Sequence, residues 1–467
     1  MRINFHGAAR TVTGSKHLIT LHNGKKLLLD CGMFQGMGKD TDALNGNFGF
    51  DPASVNYLVL SHAHIDHCGL IPRLVKDGFQ GAIFCTPATH DLAAILLQDS
   101  AEIQRDDTRF INKKRAAQHL PPYEPLYDVD DVLRALEQFK AVNYGEWTRI
   151  DDEIELLFTD AGHIIGSAAV HLRITENGKT TRISFSGDVG RYNDAILRSP
   201  VTFDQADYLL LESTYGNRLH EDIFGTTDMM HDWVYKTCVE KKGKLIIPAF
   251  SVGRTQELLY YLNQLELEKR LPAVPVFVDS PLSKEATDLV KAYPQYFNKT
   301  IRKIMESDSD PFDFKGLKFI RSADESKALN DLHQPCIIIS ASGMADAGRV
   351  KHHIKNNIHD QRNTILIVGY CEPASLGGRL MNGAKHVRIY GEMHNVEAEI
   401  GIMRSMSAHG DYDDLCQFIA GQDPEKLKTL FLVHGEYDVQ QEFAARLEKK
   451  GYQHVVIPAL HSETVLS

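Results

Sequence analysis

Three histidines and an aspartate crowd into one short stretch of the chain, His62-Ala63-His64-Ile65-Asp66-His67. Neutral imidazole and carboxylate groups suit a borderline divalent metal such as zinc. A turn can direct neighbouring side chains to two points at once. We interpret His62 and His64 as ligands of one metal ion, and Asp66 and His67 as ligands of a second. The alternative is a polar surface loop rich in His, which the further candidate ligands downstream disfavour.

The flanking elements explain how this stretch is held. The residues before it, Tyr57-Leu58-Val59-Leu60, form a short apolar run typical of a buried strand. Residues 68–75 after it carry apolar side chains at helical spacing. The stretch is therefore predicted to be a strand-to-helix turn. Asp30 ends an earlier apolar strand, and we interpret it as a hydrogen-bonding partner of the metal turn rather than a plain cap.

Further candidate ligands and catalytic residues recur beside predicted strands. His163 follows the apolar run 156–158 and precedes small residues that allow close backbone approach. A lone His in such a place is usually a core residue, but the first cluster favours a ligand. Asp188 follows a strand before a glycine-containing turn, and its carboxylate could bridge two cations. Three more candidates share this setting: Glu212, His409 and His434.

From about residue 217 to 395 the pattern changes to alternating strands and helices, which predicts an α/β insert with a parallel sheet. Ser251 is predicted to cap a helix that begins beside it. Several strand ends carry residues suited to phosphate contact, although each is also common in ordinary turns. These candidates for binding a substrate phosphate are Ser251, Arg254, Ser340, Ser342 and Gly343.

Two helices are predicted in the N-terminal part, over residues 87–118 and 130–140. The first ends in a run of basic residues: Arg105, Arg109, Lys113, Lys114 and Arg115. A charge run on a helix is usually a solvated face, and contact with RNA is the alternative.

Composition narrows the function classes. The 467 residues suffice for two or more domains, and the net charge of −11 argues against a generally basic nucleic-acid-binding surface. A local basic groove could still hold phosphates. The seven cysteines form no C-x-x-C pair, which predicts reduced thiols. No apolar run approaches the roughly 20 residues that span a bilayer, and the N-terminus has no signal-peptide pattern. We therefore expect a cytoplasmic protein without a membrane partner.

The motif His62-x-His64-x-Asp66-His67, followed by His163 and Asp188, resembles the metal signature of the metallo-β-lactamase superfamily. Glu212, His409 and His434 resemble the three further motifs of its β-CASP branch of nucleases. The metal motif alone is shared by hydrolases of many substrates, whereas the complete ordered set is specific. The resemblance covers almost the whole chain.

The resemblance implies a four-layer αβ/βα metallo-β-lactamase sandwich with an inserted α/β β-CASP domain. We predict the first part of the sandwich at 1–216, the β-CASP domain at 217–395 and the second part at 396–467. The chain is similar to the compact bacterial form, without the KH domains of archaeal relatives or the C-terminal extension of RNase J-type enzymes.

The resemblance also implies a zinc-dependent ribonuclease of RNA processing or decay, cleaving single-stranded RNA as an endonuclease, a 5′-exonuclease or both. His434 is typical of RNA-processing members. Two Zn²⁺ ions are implied, with Mn²⁺ as an alternative, and a hydroxide between them would attack the phosphorus. The implied catalytic residues are Asp66, Glu212 and His409, the last protonating the leaving 3′-oxygen. One ion takes His62, His64 and His163; the other takes Asp66, His67 and His434; Asp188 bridges them.

Two other functions stay open: a hydrolase of the same fold that acts on DNA or on a small ester or thioester, and a catalytically silent RNA-binding paralogue. Members of the family often form dimers, so a homodimer is compatible with the resemblance. Residues 374–379 depart from the family's Gly-Thr-Leu-Gly-Arg segment, which leaves the role of Arg379 open.

Overall fold

The computed structural model describes residues 1–220 and 225–467. These residues divide into two compact units. The first comprises Met1–Tyr192, Ser199–Leu219 and His409–Ser467, and the second comprises Asn193–Arg198 and His220–Ala408. The domain boundaries predicted after residues 216 and 395 stay a prediction.

The first unit contains two seven-stranded sheets. The strands of its first sheet, numbered in chain order, are β1 (Arg2–Phe5), β2 (His17–Thr20), β3 (Lys26–Leu29), β4 (Tyr57–Val59), β5 (Ala82–Cys85), β6 (Phe139–Ala141) and β22 (Glu463–Val465). Their order is β22-β1-β2-β3-β4-β5-β6. Strands β3 to β6 pair in parallel, which places the carboxyl ends of β3 and β4 side by side.

The strands of the second sheet lie in the order β21-β20-β11-β10-β9-β8-β7. They are β7 (Thr148–Arg149), β8 (Ile154–Asp160), β9 (Ala168–Glu176), β10 (Lys179–Phe185), β11 (Tyr208–Glu212), β20 (Thr429–Val433) and β21 (Val455–Val456). Strand β11 pairs in parallel on both sides, and all five of its residues are buried. Its uninterrupted apolar run is typical of a strand covered on both faces.

The two sheets pack face to face through one apolar cluster, which includes Ile3 and Leu27 of the first sheet and Phe158, Leu172 and Phe431 of the second. Helices complete the outer layers. They are α1 (Thr41–Asn45), α2 (Ile65–Cys68), α3 (Ile71–Lys76), α4 (Pro87–Ala117), α5 (Val129–Leu136), α13 (Tyr412–Phe418) and α14 (Tyr437–Lys449). Helices α13 and α14 cover the second sheet, and α4 contacts β6 of the first and packs on α5. The predicted four-layer sandwich is confirmed.

Helix α4 matches the long helix predicted from the sequence. Thr86 caps it by accepting a hydrogen bond from the Thr89 amide, and Pro87 occupies its first turn. The prediction of a helix over 130–140 is wrong at its end, because α5 stops at Leu136 and Phe139–Ala141 is a strand. Pairing with β5 and burial of Phe139 outweigh the local helical pattern. Among the helices of residues 1–220 and 225–467, none combines the length and the apolar character needed to cross a membrane.

The second unit is built on a six-stranded parallel sheet, as predicted for the α/β insert. Its strands are β12 (Lys244–Pro248), β13 (Val276–Val278), β14 (Leu317–Phe319), β15 (Cys336–Ser340), β16 (Thr364–Ile367) and β19 (Glu399–Ile402), in the order β14-β13-β15-β12-β16-β19. Strands β17 (His386–Ile389) and β18 (Glu392–Asn395) form a separate two-stranded hairpin. The helices are α6 (Thr226–Val234), α7 (Arg254–Leu267), α8 (Pro281–Ala292), α9 (Lys299–Ile304), α10 (Ala323–Ala328), α11 (Gly348–Asn357) and α12 (Leu376–Met381).

Candidate metal centre

All seven predicted metal ligands lie in the first unit, on loops or helix starts that follow strands. The motif turn follows β4, and the other ligands follow β8, β10 and β20. These last three strands run in the same direction in the second sheet, so their carboxyl ends share one edge. The sheet topology therefore brings together side chains that are far apart in the sequence.

The first group of donors consists of three imidazoles and one carboxylate: His62, His64, His163 and Asp188. The Nδ1 atom of His64 lies 3.1 Å from Nε2 of His62 and 3.1 Å from Nε2 of His163. Asp188 Oδ2 lies 3.4 Å and 3.5 Å from the same two Nε2 atoms. A tetrahedral zinc site with bonds of 2.0–2.1 Å has ligand separations of about 3.3 Å. The spacing of these donors fits such an ion.

The second group consists of Asp66, His67 and His434. His434 Nε2 lies 3.3 Å from both His67 Nε2 and Asp66 Oδ2. The other carboxylate oxygen of Asp188, Oδ1, lies 3.3 Å from His67 Nε2 and has no hydrogen-bond partner among the described residues although it is buried. An orphaned, buried carboxylate oxygen is costly unless a cation satisfies it. Asp188 thus presents one oxygen to each donor group.

The electrostatics of the cluster also suit cations. Burial lowers the pKa of His62 to about 3 and that of His64 to about 4, so both rings are neutral, as metal ligation requires. Burial also acts to lower the pKa of His67, but the carboxylates of Asp188, Asp66 and Asp30 outweigh it and raise that pKa. Three carboxylates around one imidazole create a negative field that divalent ions would neutralise.

Asp30 lies behind His67, as expected from the sequence. Its Oδ2 accepts a hydrogen bond of 2.6 Å from His67 Nδ1, and its Oδ1 accepts one of 2.8 Å from the Ser61 amide. The hydroxyls of Ser61 and Ser15 also donate to Oδ2. A proton held on Nδ1 leaves the lone pair of Nε2 directed at the metal position. The contact supports an orienting role, which stays a prediction.

Replacing Asp30 with Asn should weaken metal binding by about 10–100-fold, the usual effect of losing the partner of a ligating imidazole. The amide keeps the size of the carboxylate but not its charge. Competition with a chromophoric chelator measures the affinity, and Asp128→Asn at the start of α5 is the matched control, since Asn also caps helices. Unchanged affinity in Asp30→Asn would remove the orienting role.

Lys16 is a supporting residue that the sequence alone does not indicate. It is fully buried, and its ammonium group donates to the carbonyl oxygens of Gly14 and Gly32, at 2.9 and 2.7 Å. The two loops that it joins hold the motif turn through hydrogen bonds from the Ser15 amide to Asp66 O and from the Cys31 amide to His67 O. The one feature of the sequence that could have indicated a buried role for Lys16 is its position directly before the buried strand β2.

The stability of the fold should depend on the protonation of Lys16. Burial lowers its pKa from 10.5 to about 8, so the charged form costs stability below pH 8 and this cost disappears as pH rises beyond 10.5. The urea midpoint of the wild type, minus that of Lys16→Met, should therefore increase between pH 8 and 10. Lys140→Met, at an exposed position on β6, should show no such trend. A flat or falling difference for Lys16→Met would contradict the account.

Glu212 and His409 form a pair beside the first donor group. Glu212 is fully buried, and its Oε1 lies 3.1 Å from His409 Nδ1 and accepts a hydrogen bond of 2.8 Å from the Val189 amide. Burial acts to lower the pKa of His409, but Glu212 and Asp188 outweigh it and raise the pKa to about 9. The pair therefore holds a proton on an imidazole at the edge of the cluster. His409 could also join Asp188 and His434 as a metal ligand.

The predicted phosphate-binding residues lie in the second unit. Ser251 does not cap a helix, so that prediction is wrong: α7 begins at Arg254 after Gly253, whose φ of 80° is accessible to glycine. Ser251 Oγ instead lies 3.2 Å from Ser280 Oγ. The buried guanidinium of Arg254 pairs with Glu257.

The remaining candidates for phosphate contact lie at the end of β15. Ser340 donates to the Asp279 carbonyl oxygen, Ser342 lies in the next turn beside Ala347, and Gly343 follows it. In residues 374–379, the segment that differs from the family pattern, Ser375 caps α12. Arg379 Nε donates a hydrogen bond to the Ser375 carbonyl oxygen at 3.3 Å. Phosphate contact by these residues stays a prediction.

Comparison with known proteins agrees with this architecture. Three family models match: the metallo-beta-lactamase superfamily over residues 13–215, the Beta-Casp domain over 255–380 and the Zn-dependent metallo-hydrolase RNA specificity domain over 393–458. Ribonuclease TTHA0252 of Thermus thermophilus is 35% identical over 93% of this chain and 93% of its own length. An RNase J-like protein of Methanocaldococcus jannaschii is 30% identical, over 96% and 95%. Transcription termination factor FttA of Methanosarcina mazei is 29% identical, over 96% and 69%. The chain therefore belongs to the β-CASP family of the metallo-β-lactamase superfamily.

Proposed function

We propose that this protein is a metal-dependent ribonuclease that hydrolyses phosphodiester bonds in single-stranded RNA, in RNA processing or decay. The observation that carries the proposal is Asp188, whose two oxygens face two separate groups of imidazole and carboxylate donors. Of two relatives that share nearly their full length with this chain, one is named a ribonuclease and the other an RNase J-like protein. The donor groups support metal-dependent hydrolysis, and these relatives support RNA as the substrate.

In this proposal two divalent ions occupy the centre, zinc in the first instance and manganese as the alternative. The first ion would be held by His62, His64 and His163, the second by Asp66, His67 and His434, with Asp188 shared. Bound ions of this kind lower the pKa of water from 15.7 to about 7 and neutralise charge on a phosphoryl group.

The chain's own residues supply orientation and a proton. Asp30 fixes the His67 ring through Nδ1. Glu212 fixes the His409 ring in the same way. Burial acts to lower the pKa of His409, but Glu212 and Asp188 outweigh it and raise the pKa to about 9, which favours the protonated ring. We assign to His409 the donation of a proton to the departing ribose 3′-oxygen. Asp66 is both a ligand and part of the catalytic group in this scheme.

The donor groups bear differently on the two rival functions. A silent RNA-binding paralogue has no need of a complete donor set, yet both groups here contain at least three donors within 4.8 Å of one another. A hydrolase of DNA or of small esters would share the metal centre, so only substrate preference separates it from a ribonuclease. A cytoplasmic location and a homodimeric state stay predictions.

A substrate panel tests the proposal. Purified protein of measured metal content is given labelled single-stranded RNA, DNA of the same sequence, nitrocefin and a thioester. We expect cleavage of RNA alone, its loss after treatment with a chelator, and its recovery when zinc or manganese is added back. Turnover of DNA or an ester at rates equal to that of RNA, or intact RNA at full metal occupancy, would refute the proposal.

A further inference from the structure

Helix α4 is 31 residues long. Its buried residues all lie in the first half, from Ala88 to Ala101. The next 16 residues, 102–117, include none that is buried. A helix half without a buried face gains little from packing and is normally polar throughout. This half is not polar throughout, because Ile103 is 50% exposed and Phe110 is 61% exposed.

Hydrogen bonds connect the second half of α4 to the following segment of the chain on one side. The chain returns along this half of the helix through residues 118–126, and side-chain hydrogen bonds join the two segments. Asn112 exchanges two hydrogen bonds with the backbone of Tyr123, and Arg115 donates to the Pro121 carbonyl oxygen. The Leu126 amide donates to Gln104. Gln104, Asn112 and Arg115 share one helix face, so Phe110 points away from the return segment.

The outward face combines an aromatic ring with unpaired cations. Lys114 Nζ lies 4.3 Å from the centre of the Phe110 ring, and Lys113 is adjacent. Neither lysine makes an ion pair with any residue in 1–220 or 225–467. We call residues 108–120 the arm tip. The arm tip carries four basic residues and no acidic one, in a chain of net charge −11.

We propose that the arm tip is a binding site for single-stranded RNA, in which a base stacks on Phe110 while Lys113 and Lys114 contact neighbouring phosphates. This inference rests on the proposed ribonuclease function. An exposed aromatic ring flanked by ammonium groups is the usual platform for single-stranded nucleic acid, since every base offers a π face. A solvated helix face would need the charges but not the exposed ring.

The other end of α4 reaches the metal centre. The hydroxyls of Thr86 and Thr89 donate to the carbonyl oxygen of Gly166, at 2.7 and 2.8 Å, in the loop that carries His163. Helix α2 of the motif turn also contacts α4. From Thr89 to Phe110 the helix extends about 30 Å. At about 3.4 Å per stacked nucleotide, roughly nine nucleotides separate the two places on one RNA. The arm tip should therefore increase the affinity for RNAs long enough to reach both places, and should not affect the affinity for shorter ones.

The test compares a 30-nucleotide RNA with a tetranucleotide in single-turnover cleavage by full-length, metal-loaded protein. In Phe110→Ser and in the double variant Lys113→Glu/Lys114→Glu, the half-saturating enzyme concentration should rise about tenfold for the 30-mer. It should not change for the tetranucleotide, and the maximal rate should not change for either. The double variant should also lower the slope of log affinity against log salt by about 1.4.

Matched controls exclude a general effect of charge or polarity. Lys449→Glu/Lys450→Glu makes the same charge change at the exposed end of α14, and Leu133→Ser removes an exposed apolar side chain on α5. Both should leave the 30-mer unaffected. Equal half-saturation for wild type and arm variants would overturn the proposal. So would a change of molecular mass in solution with unaltered RNA affinity, because it would assign the arm tip to a protein contact.

The proposal can fail separately from the ribonuclease function. If the wild type cleaves neither RNA, the proposed function is refuted. Fluorescence anisotropy of the labelled 30-mer then still compares the variants with the wild type. Weaker binding by the arm variants would support the site, and equal binding would reject it.

Discussion

Replacing Asp188 with Asn should lower the rate of RNA hydrolysis by about 10³-fold or more. Both carboxylate oxygens are used, since Oδ2 faces His62 and His163 and Oδ1 faces His67. An amide has the same size but offers one neutral oxygen, so two bound ions would lose the anion that Asp188 would share between them. Metal ions supply several kcal/mol of transition-state stabilisation, and each 1.36 kcal/mol is tenfold in rate.

The measurement is single-turnover cleavage combined with metal analysis of the same sample. Asp188→Asn should lose at least one of two metal ions while its circular dichroism matches the wild type. Asp207→Asn is the matched control, because Asp207 precedes β11 at the opposite end of the same sheet and accepts a hydrogen bond from the Arg182 amide. Activity within tenfold of the wild type in Asp188→Asn would mean that the carboxylate does not bridge the ions.

Replacing His409 with Gln should lower the rate by about 10²–10⁴-fold, the range expected for a lost general acid. The ring is positioned by Glu212, which is itself fixed by backbone amides. Metal content should stay at the wild-type value, which separates proton donation from the other role open to His409, ligation beside Asp188 and His434.

A substrate with sulfur in place of the leaving 3′-oxygen makes this test specific. A thiolate departs without a proton, so His409→Gln should cleave it nearly as well as the wild type does. Glu212→Gln should show the same pattern with a smaller loss, because it acts through His409. An equal loss on the oxygen and sulfur substrates would show that His409 does not protonate the leaving group.

The sequence indicates which donor side chains come together, because the signal for each of them is local. Short apolar runs end in His, Asp or Glu, and parallel strands bring such ends to one sheet edge. The motif turn at 62–67, the strand β11 that ends at Glu212 and the parallel sheet of the insert all follow from such patterns. The order of the motifs along the chain then indicates the family, which the comparisons confirm.

Features that depend on tertiary contacts could not be predicted from the sequence. Phe139–Ala141 looks helical locally, yet pairing with β5 makes it a strand. Ser251 is a good capping residue by type, but the backbone of Gly253 sets where α7 begins. Nothing in the sequence marks Lys16, because its role depends on hydrogen bonds to two glycine carbonyl oxygens that only the folded loops bring near it. In each case a distant partner outweighs a local preference.

The central claim is that each of the two donor groups would hold one metal ion. Anomalous diffraction from crystals of the zinc-loaded protein, recorded on both sides of the zinc absorption edge, tests it directly. The account predicts two peaks, one among His62, His64 and His163 and one among Asp66, His67 and His434, with Asp188 between them. A single peak, or peaks bound by other side chains, would contradict it.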